Sequence, residues 1–328
     1  MSRATLEFAG QQIKPGRRKQ VELPIAKMAS GTQVSLPVIV VHGKTDGPSI
    51  WLDAAIHGDE INGIEIIRRV LRKVDARTLA GTIYAVPTVN VHGFLANDRY
   101  MPDRRDLNRS FPGSARGSLA SRIAYLFMNE IVSRCELGID LHSGSGDRKN
   151  LPQIRADLTN ARTRDLAAAF GAPVMISAKT RGGSIRAVAA KRGKTVLLYE
   201  AGEASRYDME SIELGEAGVE RVIAELGMIE PCEACEIEPR IAGGSHWIRA
   251  RRSGLFLSAV ELGQQLELGD TVGVIHDSLG NRRARMTTRA PGVVIGLMQR
   301  PLVNQGDALM HVAEDLQPVS ASEVDTSS

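Results

Sequence analysis

Apolar residues in the first two thirds of the chain switch between the spacing of strands and the spacing of helices. The apolar runs at Val38–Val41, Ser49–Ile56 and Leu137–Leu141 predict buried strands. After the second of these runs, the apolar residues between Ile64 and Val74 share one face of a predicted helix. Strands that alternate with helices in this way are typical of an α/β fold, with a mostly parallel or mixed sheet flanked by helices.

The hydrophobic pattern changes after about Leu226. From His246 to Val312, short alternating runs are separated by Gly, Asp and Asn turns, which predicts a smaller C-terminal all-β domain of barrel-like form. The polar residues after Glu314 show no periodicity. We therefore expect three units, which are an α/β domain with N-terminal strands over residues 1–235, a β domain over residues 236–315 and a flexible tail over residues 316–328.

Histidine and acidic residues stand where two of the predicted buried strands end. His57 and Glu60 follow the strand that ends at Ile56, and His142 follows the strand Leu137–Leu141. Because ligands of open α/β sheets bind beyond the carboxyl ends of the strands, we expect these three side chains to converge. Two imidazoles and one carboxylate, with a fourth position left for water, form the pattern of catalytic zinc sites. One such histidine alone would favour an ordinary loop residue, but this combination favours a metal site.

Four short motifs occur together in the order and approximate spacing of a known family. They are HGDE at 57–60, DLNRSFPG at 106–113, DLHSG at 140–144 and YEAG at 199–202. In these motifs the chain resembles the succinylglutamate desuccinylase/aspartoacylase family, which is related to the zinc carboxypeptidases, and the resemblance covers roughly residues 45–315. It implies a zinc carboxypeptidase-like catalytic domain over residues 1–235. It also implies one Zn²⁺ per chain, with His57, Glu60 and His142 as its ligands.

The resemblance further implies the residues that act on the substrate. Glu200 is the expected catalytic carboxylate, which serves as general base, although Glu203 is close enough in sequence to compete for this role. Asn108 and Arg109 are expected to bind a carboxylate of the substrate, since the planar donors of a guanidinium suit a carboxylate.

Two assignments stay open at the level of sequence. Arg99 is the candidate for polarising the scissile carbonyl, but its spacing to DLNR differs by about two residues from that in aspartoacylase, so Arg104 or Arg105 could take this position instead. Asp140 lies two residues before His142, on the same face of a strand. It either accepts a hydrogen bond from the imidazole of His142 or caps a nearby turn.

The C-terminal β domain resembles biotinyl- and lipoyl-type folds, which carry their cofactor on a lysine. The last lysine of the chain is Lys194, so the domain cannot be a lysine-linked carrier. We expect it to shape access to the active site or to support oligomerisation. Outside the predicted metal site, His92 is a candidate for lining the pocket, whereas His311 is expected to have an ordinary structural role.

The expected activity is zinc-dependent hydrolysis of the amide bond of a small N-acyl amino acid or a related N-acyl amine, which releases a carboxylate and a free amine. One alternative is a zinc carboxypeptidase that acts on peptides, and another is a non-catalytic metal-binding relative. A β domain near the site is expected to restrict large substrates, which disfavours the first alternative. The complete ligand set and Glu200 argue against the second.

Charge and composition narrow the expected partners and location. The formal net charge is +3, and the only basic cluster, Lys14 to Lys19, gives no indication of a nucleic-acid partner. No apolar run approaches the ~20 residues of a membrane span, and the start of the chain lacks the apolar segment of a signal peptide. We therefore expect a cytoplasmic protein that binds a small N-acylated substrate bearing a carboxylate, without membrane or nucleic-acid partners. A homo-oligomer is compatible with the sequence.

Overall fold

The computed structural model describes residues 3–231 and 235–319. Most of the predicted tail, residues 320–328, lies outside the described residues. The described chain forms a mixed sheet flanked by helices and continues into a β-rich C-terminal region, so the predicted fold class is confirmed.

Strands precede the first helix and then alternate with helices up to residue 225. The N-terminal and central strands are β1 (Leu6–Phe8), β2 (Gln11–Ile13), β3 (Arg17–Lys27), β4 (Gln33–His42), β5 (Thr45–Ala54), β6 (Ala80–Val86), β7 (Leu137–Gly144), β8 (Arg148–Ala156), β9 (Val174–Ser177) and β10 (Thr195–Glu203). The helices are α1 (Asn62–Lys73), α2 (Val91–Ala96), α3 (Leu119–Glu130), α4 (Ala161–Phe170), α5 (Ile185–Lys191) and α6 (Met209–Glu225), with short 3₁₀ turns at Leu107–Arg109 and Val132–Arg134.

In the C-terminal region, residues 235–319 form strands and no α-helix. They are β11 (Arg240–Arg249), β12 (Gly254–Ser258), β13 (Gln265–Leu266), β14 (Thr271–His276), β15 (Arg282–Thr287), β16 (Gly292–Met298), β17 (Leu302–Val303) and β18 (Ala308–Pro318). Strand β18 extends three residues into the predicted flexible tail. Residues 316–318 are strand because Leu316, Gln317 and Pro318 pair with β11, a long-range contact that the polar local sequence does not reveal.

Twelve strands form one sheet in the order β13-β16-β18-β11-β9-β8-β10-β7-β5-β6-β4-β3. Its centre is parallel, because β5 pairs in parallel with both β6 and β7, and β7 pairs in parallel with β10. Strand β4 pairs antiparallel with β3 and with β6, and β8 pairs antiparallel with β10, so the sheet is mixed. The carboxyl ends of β5, β7 and β10 therefore lie side by side.

Apolar side chains cover both faces of this sheet. Along β5, Ile50 and Leu52 pack into a cluster with α1, α4 and α6, whereas Trp51 packs into a second cluster with α3 and α5. Side-chain caps begin the helices from α2 to α6, as where Asn160 accepts a hydrogen bond from the backbone nitrogen of Thr163 at 2.9 Å. Among residues 3–231 and 235–319, no helix is long and apolar enough to cross a membrane.

A closed ring of five strands joins the two regions of the chain. Strand β16 pairs with β18 and also with β8, so β8, β9, β11, β18 and β16 follow one another around a barrel-like arrangement. Two of its strands come from residues 1–235 and three from the C-terminal region. The predicted β domain is thus built partly on the α/β sheet, directly beside the carboxyl end of β10.

Candidate metal centre and active-site cavity

Three adjacent parallel strands bring the predicted site residues to one edge of the sheet. His57 and Glu60 follow the end of β5, His142 lies near the end of β7, and Glu200 lies opposite His142 in β10. The turn that carries His57 packs against the backbone at Gly93, where a Cβ on Gly58 would lie 2.0 Å from the carbonyl carbon of Gly93. Only glycine fits at this contact, and it fixes the position of the turn.

His57, Glu60 and His142 form a buried cluster whose ligand atoms lie within 4.8 Å of one another. The Nδ1 atom of His57 is 2.7 Å from Oε1 of Glu60, and the Nδ1 atom of His142 is 2.7 Å from Oε2 of the same carboxylate. Their side chains are at most 6% exposed. Because two imidazole nitrogens face one carboxylate inside a cavity, the donor set fits a divalent cation that prefers nitrogen and oxygen ligands.

The outer nitrogen of each imidazole faces a second carboxylate. His142 Nε2 lies 2.9 Å from Asp140 Oδ1, and His57 Nε2 lies 3.4 Å from Asp106 Oδ1, although neither contact has the alignment of a full hydrogen bond. Carboxylates in this position fix the tautomer and direct Nδ1 towards the cluster centre. Of the two roles considered for Asp140, the contact with the imidazole of His142 is the one in the structure.

Electrostatic interactions within the cluster favour a charged state. Burial raises the pKa of Glu60, but the two histidines lower it by more, so the carboxylate is ionised. Burial lowers the pKa of His142, but Asp140 and Glu60 raise it to well above its ordinary value. Burial also lowers the pKa of His57, but Glu60 and Asp106 raise it by more, so it lies above its ordinary value. The carboxylates of the cluster therefore favour the protonated form of both imidazoles.

A buried pair of carboxyl groups lies behind His142. Asp53 is fully buried and accepts a hydrogen bond from Trp51 Nε1 at 2.7 Å. Burial and then the neighbouring Asp140 raise the pKa of Asp53 well above its ordinary value, which favours the protonated form of this carboxyl. Asp53 Oδ2 and both oxygens of Asp140 have no hydrogen-bond partner among the described residues, and a proton on Asp53 Oδ2 would satisfy that atom and one oxygen of Asp140.

Substituting Asp53 by asparagine is expected to preserve thermal stability at pH 8, whereas Asp53→Leu is expected to cost about 2–4 kcal/mol. Because the pKa of Asp53 is raised in the folded state, its protonated carboxyl stabilises the fold at acidic pH. This stabilisation is lost as the pH rises from the pKa of the unfolded state towards that of the folded state. Asparagine needs no proton and can still bridge Trp51 and Asp140. Thermal unfolding of both variants between pH 5 and pH 8 tests this. A loss of stability in Asp53→Asn equal to that in Asp53→Leu would show that Asp53 is ionised.

The cluster lies in a cavity of about 650 Å³. Arg99 lines it, and its guanidinium contacts Glu60 Oε1 at 3.3 Å, Ser145 Oγ at 2.6 Å and Asp106 Oδ2 at 3.1 Å. Arg104 and Arg105 are exposed and are not lining residues of the cavity. Of the three arginines considered from the sequence, Arg99 is thus the one that the structure brings to the cluster.

Asn108 and Arg109 line the same cavity. The side-chain oxygen of Asn108 accepts a hydrogen bond from the backbone nitrogen of Ile185 at 3.0 Å, at the start of α5. This bond leaves the amide nitrogen of Asn108 available to a ligand. Arg109 donates a hydrogen bond to the carbonyl oxygen of Asn108 at 2.5 Å, and its side chain is exposed.

Glu200, but not Glu203, lines the cavity. Glu200 Oε1 accepts a hydrogen bond from Asn150 Nδ2 at 2.9 Å, and its other oxygen lies 4.0 Å from Arg155 Nε. Glu203 instead forms an ion pair with Arg206 at 3.3 Å. The geometry therefore favours Glu200 over the neighbouring carboxylate for chemistry at the cluster.

Several lining residues are missing from the candidates named in the sequence, among them His311, for which only an ordinary structural role was expected. The ring of His311 stacks on Trp247 in the cavity wall, with centroids 4.2 Å apart and planes at 3°. His92, the candidate named instead, is not a lining residue. The basic lining residues are Arg99, Arg109, Arg148, Arg155, Lys179, Arg181 and Arg186. Of these, only Arg99 and Arg109 are among the candidates named from the sequence.

A mixed sheet flanked by helices, with two histidines and a glutamate converging at its carboxyl edge, defines an α/β protein with a candidate metal centre. The family model of the succinylglutamate desuccinylase/aspartoacylase catalytic domain matches residues 46–226, and the chain belongs to this family.

Relatives of known name extend the comparison. The N-alpha-acetyl-L-2,4-diaminobutyric acid deacetylase of Halomonas elongata is 28% identical over 326 residues, which cover 95% of this chain and 94% of the relative. The succinylglutamate desuccinylase of Pseudomonas aeruginosa is 29% identical over 148 residues, 42% of this chain and 43% of the relative. A succinylglutamate desuccinylase/aspartoacylase structure from Rhodobacter sphaeroides superposes with a TM-score of 0.83 at 25% identity, covering 96% of this chain and 99% of that one.

Proposed function

We propose that this protein is a zinc-dependent amidohydrolase that removes the acyl group from a small N-acyl amino acid or a related N-acyl amine. The observation that carries the proposal is the convergence of His57, Glu60 and His142 beside Glu200 in one cavity. Family membership supports it, and so does the Halomonas elongata relative, which is named as a deacetylase of an acetylated amino acid.

His57, Glu60 and His142 would hold the zinc ion, one per chain, through two Nδ1 atoms and one carboxylate. Zinc bound there would supply a Lewis acid and would lower the pKa of its bound water towards about 7. Asp106 and Asp140 would keep the two imidazoles in the tautomer that presents Nδ1 to the ion.

Glu200 would act as general base and then as general acid. Its carboxylate takes a proton from the attacking water, whose oxygen forms a bond to the amide carbonyl carbon. As the C–N bond breaks, Glu200 returns this proton to the departing amine, so the products are a carboxylic acid and a free amine. Asn150 donates to Oε1 of Glu200 and orients the carboxylate for both transfers.

Two groups of donors would hold the substrate. Arg99 lies beside the cluster and stabilises the negative charge that builds on the carbonyl oxygen, a contribution of about 3 kcal/mol for a well-placed donor. Asn108 and Arg109 bind a carboxylate of the substrate from the loop between α2 and α3. The cytoplasmic location, the homo-oligomer and the absence of nucleic-acid and membrane partners stay predictions of the sequence.

The proposal is tested by metal content and by a substrate screen on the same preparation. Protein purified without chelator or added metal is expected to contain about one zinc per chain by mass spectrometry, and to release free amine from N-acyl amino acids but not from peptides. Hydrolysis of peptides in preference would favour the carboxypeptidase alternative. Zinc binding without hydrolysis of any amide would favour the non-catalytic alternative, and failure to bind even added zinc would overturn the proposed mechanism.

Substituting Arg109 by methionine is expected to raise KM by about ten- to hundredfold, with little change in kcat. The reason is that the substrate loses a charge-assisted hydrogen bond that it makes equally in the ground state and in the transition state. Steady-state kinetics on the best substrate of the screen would measure this. Arg116→Met removes an exposed arginine that does not line the cavity and serves as the matched control. Equal KM values in all three proteins would remove Arg109 from substrate binding.

A further inference from the structure

We propose that the C-terminal region contains an anion-binding site outside the active-site cavity, which takes a small anion with two negative charges, such as phosphate or a short dicarboxylate. The site is a cavity of about 250 Å³ between β11 and the end of β15. This β11–β15 cavity is lined by residues of β11, of the turn that follows it and of the segment 286–289. The inference does not depend on the proposed deacylase function.

The walls of the β11–β15 cavity come from two strands that do not pair with each other. Strand β11 pairs with β9 only at residues 240–242, and along the rest of its length the described residues pair it only with β18. Strand β15 lies at the edge of a four-stranded sheet and pairs with β14. Because β11 and β15 belong to different sheets, a cavity remains between them.

Positive charge is concentrated in this cavity. Arg249, Arg251 and Arg289 line it, and none of its lining residues is a carboxylate. Arg249 donates a hydrogen bond to the carbonyl oxygen of Gly306 at 3.0 Å, which orients its guanidinium. Arg251 and Arg289 have no hydrogen-bond or ion-pair partner among residues 3–231 and 235–319. An anion between the three guanidinium groups would accept charge-assisted hydrogen bonds and offset their mutual repulsion.

Acidic residues of the C-terminal region have other partners. Glu314 contacts a lining residue of the cavity, but its carboxylate pairs with Nδ1 of His246 and not with an arginine. Asp307 accepts a hydrogen bond from the backbone nitrogen of Asn304 at 2.8 Å. Within the part of the chain that the structure describes, the charge of the three lining arginines is therefore not neutralised by an ion pair.

The size and lining of the cavity indicate the class of ligand. A volume of about 250 Å³ is less than the roughly 300–1,000 Å³ of pockets for drug-sized ligands, and it corresponds to about eight water molecules. Ile248 and Met286 are buried and give the cavity an apolar inner wall, whereas the three arginines are exposed. A small anion fits this arrangement, because it can bind the guanidinium groups and stay partly hydrated.

Trp247 offers a signal for binding that does not require turnover. This residue lines both the β11–β15 cavity and the active-site cavity, where its ring stacks on His311. The chain has two tryptophans, and the other one, Trp51, is fully buried. An anion in the β11–β15 cavity is therefore expected to change the fluorescence of Trp247 and to leave that of Trp51 unchanged.

Titration of zinc-loaded protein with inorganic phosphate, and separately with malonate, tests the inference at pH 8 and constant ionic strength. We expect saturable binding of at least one of these anions by calorimetry, at about one site per chain. The fluorescence change should follow the same binding curve in the wild type and should be lost in Trp247→Phe. Tighter binding of phosphate would identify a phosphate group as the ligand chemistry, and tighter binding of malonate would identify a dicarboxylate.

The double variant Arg251→Met/Arg289→Met is expected to bind the anion about tenfold or more weakly, because two charge-assisted donors are lost. Arg252→Met/Arg282→Met removes the same charge from exposed arginines outside the cavity, and it should keep the affinity within about twofold. Arg109→Met, which changes the active-site cavity, should also keep it. All of the substituted arginines are exposed, so thermal unfolding without anion should be similar in every variant.

Three outcomes would overturn the inference. The first is the absence of saturable binding of either anion to the wild type. The second is equal affinity in the wild type and in Arg251→Met/Arg289→Met, which would place the anion elsewhere, for example in the active-site cavity. The third is equal weakening in both double variants, which would indicate general attraction to a basic surface. Hydrolysis of an amide is not measured, so failure of the deacylase function would not affect this test.

Discussion

His57→Ala protein is expected to contain almost no zinc, compared with about one ion per chain in the wild type, and to lose amide hydrolysis completely. His57 supplies one of three ligand atoms that lie within 4.8 Å of one another. Residues 3–231 and 235–319 contain no second cluster of this kind that could bind the ion instead. The measurement is the metal-to-protein ratio by mass spectrometry, together with amine release from the best N-acyl substrate.

A matched control separates loss of the ligand from damage to the fold. His42 is also buried, with 3% of its surface exposed, and it contacts Thr82 Oγ1 and the carbonyl oxygen of Ala4 far from the cluster in sequence. His42→Ala should lower thermal stability and leave the zinc content at about one ion per chain. If His57→Ala retained zinc and activity, the assignment of the metal site would be wrong.

The pH of the assay matters because zinc competes with protons at this site. Glu60 and Asp106 raise the pKa of His57, and Asp140 and Glu60 raise that of His142. Zinc binds the neutral imidazole, so each protonated ring must release its proton before the ion can bind. Zinc loading and dialysis are therefore best done near pH 8. At this pH, a low metal content indicates loss of the His57 ligand and not incomplete release of protons from the imidazoles.

The ligand cluster could be predicted from sequence because the features that indicate it occupy two short segments of the chain. His57 and Glu60 share one turn, and His142 follows a short apolar strand that is easy to recognise. Parallel pairing of β5 with β7 then brings the two strand ends together without further detail. The pairing of Asp53 with Asp140 depends on the register in which these residues are direct neighbours, and register is not visible in one sequence.

The second wall of the cavity could not be predicted because it depends on long-range strand pairing. Strand β16 pairs with β8 across more than a hundred residues, and β11 pairs with β9, which closes the five-stranded ring. Within this ring, β11 pairs with β18 and places Trp247 opposite His311, and Arg148 of β8 lies over the Trp247 ring. In the sequence, His311 has no partner at ligand spacing, so nothing local distinguishes it from an ordinary histidine.

The division into domains shows the same limit. The last helix, α6, ends at Glu225, near the change of pattern at Leu226, and the next strand, β11, begins at Arg240. It cannot indicate that two strands of the first region, β8 and β9, also belong to the barrel-like arrangement. Because β8 carries Arg148 and Arg155 and lies beside Glu200, the shared strands connect the C-terminal region directly to the proposed chemistry.

Glu200→Gln is expected to lower kcat by about 10²- to 10⁴-fold while zinc content and KM stay close to those of the wild type. Glutamine preserves the size of the side chain and can still accept the hydrogen bond from Asn150, so the cavity should keep its shape. What it lacks is a carboxylate able to take a proton from water and return it to the amine. Steady-state kinetics, with metal analysis of the same preparation, measure both quantities.

Glu203→Gln provides the comparison, because Glu203 lies on the same strand three residues later and does not line the cavity. Its ion pair with Arg206, whose side chain is 72% exposed, should contribute little, so kcat should change by less than about twofold. A large loss in Glu203→Gln with a small loss in Glu200→Gln would reverse the assignment of the base. A small loss in both would mean that proton transfer does not pass through this strand. Of the cavity's other carboxylates, Glu60 and Asp106 would then need a separate test as the base, since they also contact the proposed zinc-binding histidines.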